Sequence, residues 1–106
     1  MTSDLESTLA YQLTAVGIPF EQQVKVIPFR LFRFDFLITG TNLLIEINGG
    51  TWVANTGHTS GKGIRRDAMK QDLAILNGYR PLVFTADMVT SGEALAMIEK
   101  AIGERK

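Results

Sequence analysis

The chain has no cysteine among its 106 residues, which excludes disulfides and cysteine-ligated zinc and fits a reducing compartment. It has no net charge: eleven Lys and Arg balance eleven Asp and Glu. The whole-chain balance therefore advertises no nucleic-acid partner, and any basic surface must be local. No apolar run approaches the roughly 18 residues of a membrane span. The N-terminus opens on polar and acidic residues rather than a targeting segment. Repeats, linkers and low-complexity tracts are missing too. The expectation is a soluble, intracellular, cytoplasmic protein with no membrane partner. What is present, 45% hydrophobic and 21% charged residues, is ordinary globular usage, and the length suits a single domain over 1–106 with a real core.

The stretch from Arg33 to Gly50 organises the rest. Two apolar runs rich in Phe, Ile and Leu flank Thr39-Gly40-Thr41-Asn42, which predicts a β-hairpin with strands over roughly 30–38 and 42–48. A two-residue Gly40-Thr41 loop with glycine first, as a type II′ turn prefers, pairs 39 with 42, 37 with 44, 35 with 46 and 33 with 48. Asp35 then faces Glu46. Alternation puts Arg33 and Asn48 on the same face and Phe32, Phe34, Phe36, Ile45 and Ile47 on the other. Two carboxylates opposed across a strand pair repel, and in apolar surroundings a divalent cation resolves the conflict.

Around the hairpin, Ser3-Asp4-Leu5-Glu6 has capping-box spacing, and Leu5, Leu9, Leu13 and Val16 form a helical stripe that predicts a helix over 4–16, ended by Gly17. Residues 22–27 read as a short strand at or near the sheet edge, bounded by Pro28. From Gly49 to Gly63 the pattern dissolves into a loop with five glycines, a length that in a small domain is usually functional. A helix follows over 64–77. Next comes a buried strand within 79–85, expected to be parallel to 42–48 because a helix intervenes. The last helix is led by a second capping-box spacing, Thr90-Ser91-Gly92-Glu93.

This αβββαβα order, with Asp35 on one strand and Glu46 on the next, resembles the PD-(D/E)xK nuclease superfamily. It resembles more closely the small endonuclease-like proteins of phages and prophages related to very-short-patch mismatch-repair endonucleases and, further off, Holliday-junction resolvases. The likeness covers nearly the whole chain. It is carried by Glu6, Arg33-Phe34-Asp35-Phe36, Ile45-Glu46-Ile47-Asn48-Gly49-Gly50-Thr51-Trp52, the loop from Gly57-His58-Thr59 to Gly63, Asp67 and Lys70, and Gly78-Tyr79-Arg80. It implies a restriction-endonuclease-like α/β core with a mixed central sheet flanked by helices, and metal-dependent hydrolysis of DNA phosphodiester bonds in repair or recombination. Asp35 and Glu46, with the Ile47 carbonyl, are then the ligands of Mg²⁺ (or Mn²⁺). Glu6 supports the metal through water.

The chain departs from the pattern where the superfamily places a lysine two residues beyond the Glu: here stands Asn48, which supplies no charge. Some superfamily members recruit that lysine from the following helix, which makes Lys70, and after it Lys62, the candidates; His58 is the other candidate base. Lys62, Arg66 and Lys70 fall at i, i+4 and i+8 with Arg65 alongside, a basic ridge suited to phosphates. Trp52 and His58 complete the expected DNA-contacting set.

Each of these residues also has an ordinary structural explanation. Glu6 sits at the N3 position of a capping box. Arg33 is placed to neutralise a strand carboxylate, and Asn48 to end a strand. Asp67 with Lys70 and Gln71 fits helix-surface pairing, a lone Trp usually packs, and a basic helix face is usually solvated. Two readings follow. One is a Mg²⁺-dependent endonuclease selective for structures such as junctions, nicks, flaps or mismatches, because so short a chain has scarce room for a sequence-reading element. It acts either alone or as a homodimer. The other is a non-catalytic nucleic-acid-binding or assembly module with a degenerate nuclease fold, favoured by Asn48 and the neutral charge.

Overall fold

In the computed structural model, which describes residues 4–48 and 61–103, the two apolar runs around Gly40 pair antiparallel as β2 (Phe34–Ile38) and β3 (Leu43–Ile47). Leu37 lies opposite Leu44 and Phe36 opposite Ile45, the register expected from the sequence. The turn is a different one. The Ile38 carbonyl accepts from the Thr41 N–H at 3.1 Å, so the central residues are Thr39 and Gly40, and glycine is second, at φ +79°. A positive φ at the third position of a β-turn suits glycine. Thr41 locks the corner, its hydroxyl donating to the Ile38 carbonyl at 2.7 Å and accepting from the Leu43 N–H at 3.0 Å.

β1 (Phe20–Val24) adds to the outer side of β2 antiparallel, and β4 (Arg80–Phe84) to the outer side of β3 in parallel. Among the described residues the sheet therefore runs β1-β2-β3-β4. The parallel step follows from α2 (Gly61–Leu76), which carries the chain back across the sheet between β3 and β4. On one side lie α1 (Asp4–Ala15), the short α3 (Ala86–Thr90) and α4 (Glu93–Gly103). Their apolar stripes bury Leu9, Leu13, Val89 and Ile98 against Phe36, Ile38, Leu43, Ile45 and Phe84. On the other side α2 lays Ala74, Leu73 and Met69 over Leu44, Phe34, Phe32 and Ile27. The fold is a mixed α/β sheet flanked by helices, as the sequence implied.

Local differences have local causes. α2 begins at Gly61, three residues ahead of the expected 64. α3 is an extra turn of helix that ends at Thr90 with Ser91 as its C-cap, and α4 starts only at Glu93, whose N–H donates to the Ser91 hydroxyl at 3.3 Å. The hairpin strands are shorter at their open end than the hydrophobic run suggested, so Arg33 and Asn48 lie just outside them. Phe34 and Phe36, two apart on one strand, bury in opposite layers: alternation fails at Asp35. Among the described residues no helix is long and apolar enough to cross a membrane.

Candidate active site

The failure of alternation at Asp35 builds the site. At the open end of the hairpin the ladder between β2 and β3 gives way, and the Asp35 carboxylate accepts the Ile47 N–H at 2.8 Å. A side chain takes up the strand's hydrogen bond. Beyond it, β1 pairs with β2 at Gln22–Phe36 and Val24–Phe34. Gln23 between them adopts φ +54°, unusual for a residue other than glycine. Its amide donates to Glu6 Oε2 at 2.7 Å and, more weakly, to Asp35 Oδ1 at 3.5 Å. Glu6, only 6% exposed on α1, also receives the Gln22 amide at 3.5 Å. Glu6 thus reaches across to the sheet, beyond what a helix cap requires, and Gln23 links it to Asp35.

Glu46 leaves β3 toward α2, where Lys70 Nζ meets its Oε2 at 2.6 Å. Both side chains are largely shielded, 12% and 26% exposed. The Lys70 ammonium also lies 4.7 Å from the centroid of the Phe34 ring, a cation–π contact made possible because Phe34 buries on the α2 side. Arg33 is exposed, and the cation delivered to the carboxylate pair is Lys70. Glu46 Oε1 is buried and, among the described residues, has no hydrogen-bond partner. A small cleft of about 20 Å³, space for one water-sized ligand, opens there between Glu46, Asn48, Asp67, Lys70 and Gln71.

Burial raises the pKa of both carboxyls. For Asp35 desolvation dominates, partly offset by the Ile47 N–H, then reinforced by the nearby Glu6 charge and eased by Lys70 and Gln23. For Glu46 desolvation again leads, the Lys70 ammonium pulls the other way, and the charge on Asp35 adds to the rise. Lys70 and the surrounding N–H groups do not fully compensate these two half-buried acids. Groups perturbed in this way, on adjacent strands at one end of a sheet, are candidates for chemistry.

The basic ridge divides. Lys70 turns inward to Glu46, whereas Lys62, Arg65 and Arg66 stay exposed on α2 and line a groove with Met69. Its far side is made of Arg30 and Phe32, which the sequence predicts to lie inside a strand over roughly 30–38 and which the structure leaves ahead of β2. Trp52 and His58 lie outside the described residues. Asn48 follows β3 directly, its main-chain N–H donating to the Phe84 carbonyl at 2.8 Å. Gln23 was likewise invisible beforehand: its role comes from its backbone angle, and its neighbours Gln22 and Glu21 are equally polar.

As a site for a divalent cation, the arrangement offers Asp35 and Glu46 with the Ile47 main chain between them. The orphaned buried Glu46 oxygen fits a cation, which would supply the missing partner. Among the described residues no three acidic, His or Cys side chains converge, so a cation held here would keep several waters, as Mg²⁺ characteristically does.

No family model and no curated protein matches the chain. Among solved structures, it is similar to the catalytic domain of the homing endonuclease I-Bth0305I. The TM-score is 0.70 at 22% sequence identity, over 93% of this chain and 93% of that one. That likeness extends over nearly the whole chain and shows a fold shared with a homing endonuclease catalytic domain.

Proposed function

We propose that this chain is a metal-dependent endonuclease that hydrolyses DNA phosphodiester bonds, with Asp35, Glu46 and Lys70 as the residues around which the reaction is organised. The observation that carries the reading is the pair of half-buried, raised-pKa carboxylates on β2 and β3 with an ammonium brought to one of them from α2. Support comes from the fold shared with a homing endonuclease catalytic domain and from the resemblance to the PD-(D/E)xK superfamily in the order of the motif residues. Asp35, Glu46 and the Ile47 carbonyl would hold Mg²⁺ or Mn²⁺, which supplies Lewis acidity toward a phosphate oxygen and a more acidic water.

The chain's own residues divide the remaining work. The N–H of Ile47 and the Gln23 amide fix the Asp35 carboxylate, so it needs no reorganisation to act. Lys70, whose Nζ is paired with Glu46, would take the part of the superfamily's lysine and offset negative charge gathering at the phosphate, which Asn48 cannot do. Glu6 supports the Asp35 side through Gln23. Hydrolysis adds the water oxygen to phosphorus and breaks one P–O bond, the leaving oxygen taking a proton. Lys62, Arg65 and Arg66 meet phosphates without reading bases, which suits junctions, nicks, flaps or mismatches and, through them, repair or recombination. Cutting both strands of a junction would call for a homodimer.

Asn48 favours one other reading, a DNA-binding module without chemistry. A cleavage panel separates the two: supercoiled, linear, single-stranded, flap, mismatch and four-way-junction DNA with Mg²⁺, Mn²⁺ or EDTA. Metal-dependent cutting that Asp35→Ala and Glu46→Ala abolish is the expected result. Uncut DNA in every lane, with binding intact in both variants, would overturn the enzyme and leave the module.

A further inference from the structure

The segment between β1 and β2 exposes apolar surface that the fold does not use. Ile27 and Phe32 anchor its ends in the α2-side layer, and the Arg30 N–H closes a turn onto the Ile27 carbonyl at 3.3 Å. Between these anchors Phe29 is fully exposed at 105% and Leu31 is 81% exposed. Phe29 also adopts φ +63°, a left-handed conformation costly for a bulky aromatic residue. Among the described residues no hydrogen bond or packing partner offsets that strain or that exposure.

Arg30, between the two apolar tips, points back over the Phe32 ring at 5.9 Å, and Arg66 from α2 lies over the same ring at 5.3 Å. With Lys62 and Arg65 they make a groove of about 380 Å³ lined by four cations, Phe32 and Met69. The whole chain is electrically neutral. A local concentration of four cations, with no acidic residue among the described residues that line it, is therefore a feature of this place, and its complement is a polyanion.

We propose that the Pro28–Arg33 loop is a nucleic-acid wedge: Phe29 and Leu31 enter DNA where bases are unpaired or unstacked, while Arg30, Lys62, Arg65 and Arg66 hold the flanking phosphates. The inference rests on DNA as the substrate and assigns its class, distorted rather than regular duplex. Apolar side chains inserted beside a cationic groove recover their exposed surface only where a base step opens, and opening is least costly at a mismatch, bulge or branch. Stacking on an aromatic ring tolerates any base, consistent with recognition of structure instead of sequence.

The test is equilibrium binding in EDTA to two labelled duplexes, one fully paired and one carrying an unpaired 2-aminopurine. Light scattering of the free protein accompanies it. Wild type should bind the distorted duplex more tightly and change the 2-aminopurine fluorescence. The double variant Phe29→Ala with Leu31→Ala should lose roughly tenfold affinity for the distorted duplex, lose the fluorescence change, and bind the paired duplex within about twofold of wild type. Phe29→Gly removes the ring and the backbone strain together, so the same loss with an unchanged or higher Tm separates recognition from misfolding. Arg30→Gln should weaken both duplexes and lower the salt slope by about one.

Wild-type affinity and fluorescence in the loop variants overturn the wedge, as does a wild type that binds neither duplex. A dimer that the loop variants dissociate, with DNA binding untouched, also overturns it and gives the surface to a second copy of the chain. Binding that behaves as expected in a protein that cuts no DNA leaves the wedge standing and removes the endonuclease. Metal-dependent cutting with indifferent loop variants does the reverse.

Discussion

At the scale of single residues, the site is a contest between desolvation and a few well-placed donors. Lys70 decides it for Glu46. Lys70→Met keeps the packing on Phe34 but leaves the carboxylate buried beside Asp35, and should cost about 2 kcal/mol, roughly 10 °C in Tm. Adding Glu46→Gln to that variant should restore most of the loss, a coupling that a thermal-melt double-mutant cycle measures. Asp35 and Glu46 also set a pH dependence of unusual sign. Their folded pKa values lie above the unfolded ones, so the native state holds protons more tightly. Their contribution to stability is present at low pH and lost as pH rises out of the ordinary carboxylate range. Metal-free Tm against pH should therefore fall across that window through these two groups. Asp35→Asn should flatten the fall and raise Tm above it. Cleavage should follow the opposite course, failing on acidification at a higher pH than ordinary carboxylates would dictate, because the protonated acids cannot hold a cation.

At the scale of elements, the hairpin turn and the open end of the same hairpin do different jobs. The closed end must be rigid to hold the register. Thr41→Val removes both hydroxyl hydrogen bonds at the corner and should cost about 1–2 kcal/mol. Gly40→Ala meets no atom within 4 Å, so its cost, about 1 kcal/mol, comes from φ +79° alone. Chemical denaturation of the two variants checks both figures. The open end instead gives up ladder hydrogen bonding, so that the Asp35 carboxylate takes the Ile47 N–H and the Gln23 amide reaches Glu6 and Asp35. Strained or irregular positions are expected at sites and not elsewhere in a consistent fold.

At the scale of the whole molecule, α1 brings Glu6, the sheet brings Asp35 and Glu46, and α2 brings Lys70, so a cation at the carboxylates would tie three layers together. Millimolar Mg²⁺ should raise Tm at neutral pH through preferential binding to the folded state, and the rise should vanish in Asp35→Asn and Glu46→Gln. Calorimetric scans with and without the metal measure it. The groove sets a second global property. Its four cations predict that log affinity for duplex DNA falls with log salt at a slope of roughly 3–4. An anisotropy titration across salt checks it.

The sequence by itself determined the order of the elements apart from α3, the hairpin register at Phe36–Ile45 and Leu37–Leu44, the parallel return through α2 and the placing of Asp35 and Glu46 on adjacent strands, because each follows from hydrophobic period, turn residues and chain connectivity over short spans. It also singled out Lys70 as a substitute for the charge missing at Asn48, but offered Lys62 and His58 beside it. Only the tertiary structure decided that Lys70 reaches Glu46 while Lys62 and Arg66 face the groove, since residues four apart on one helix are separated by what packs beneath them. Likewise, only packing showed that Phe34 leaves the face of Phe36, that Gln23 bridges Glu6 to Asp35, and that Phe29 and Arg30 stand clear of the sheet. Those facts depend on where alternation breaks, and a break in a period is set by the partners across the sheet, which the local sequence does not contain.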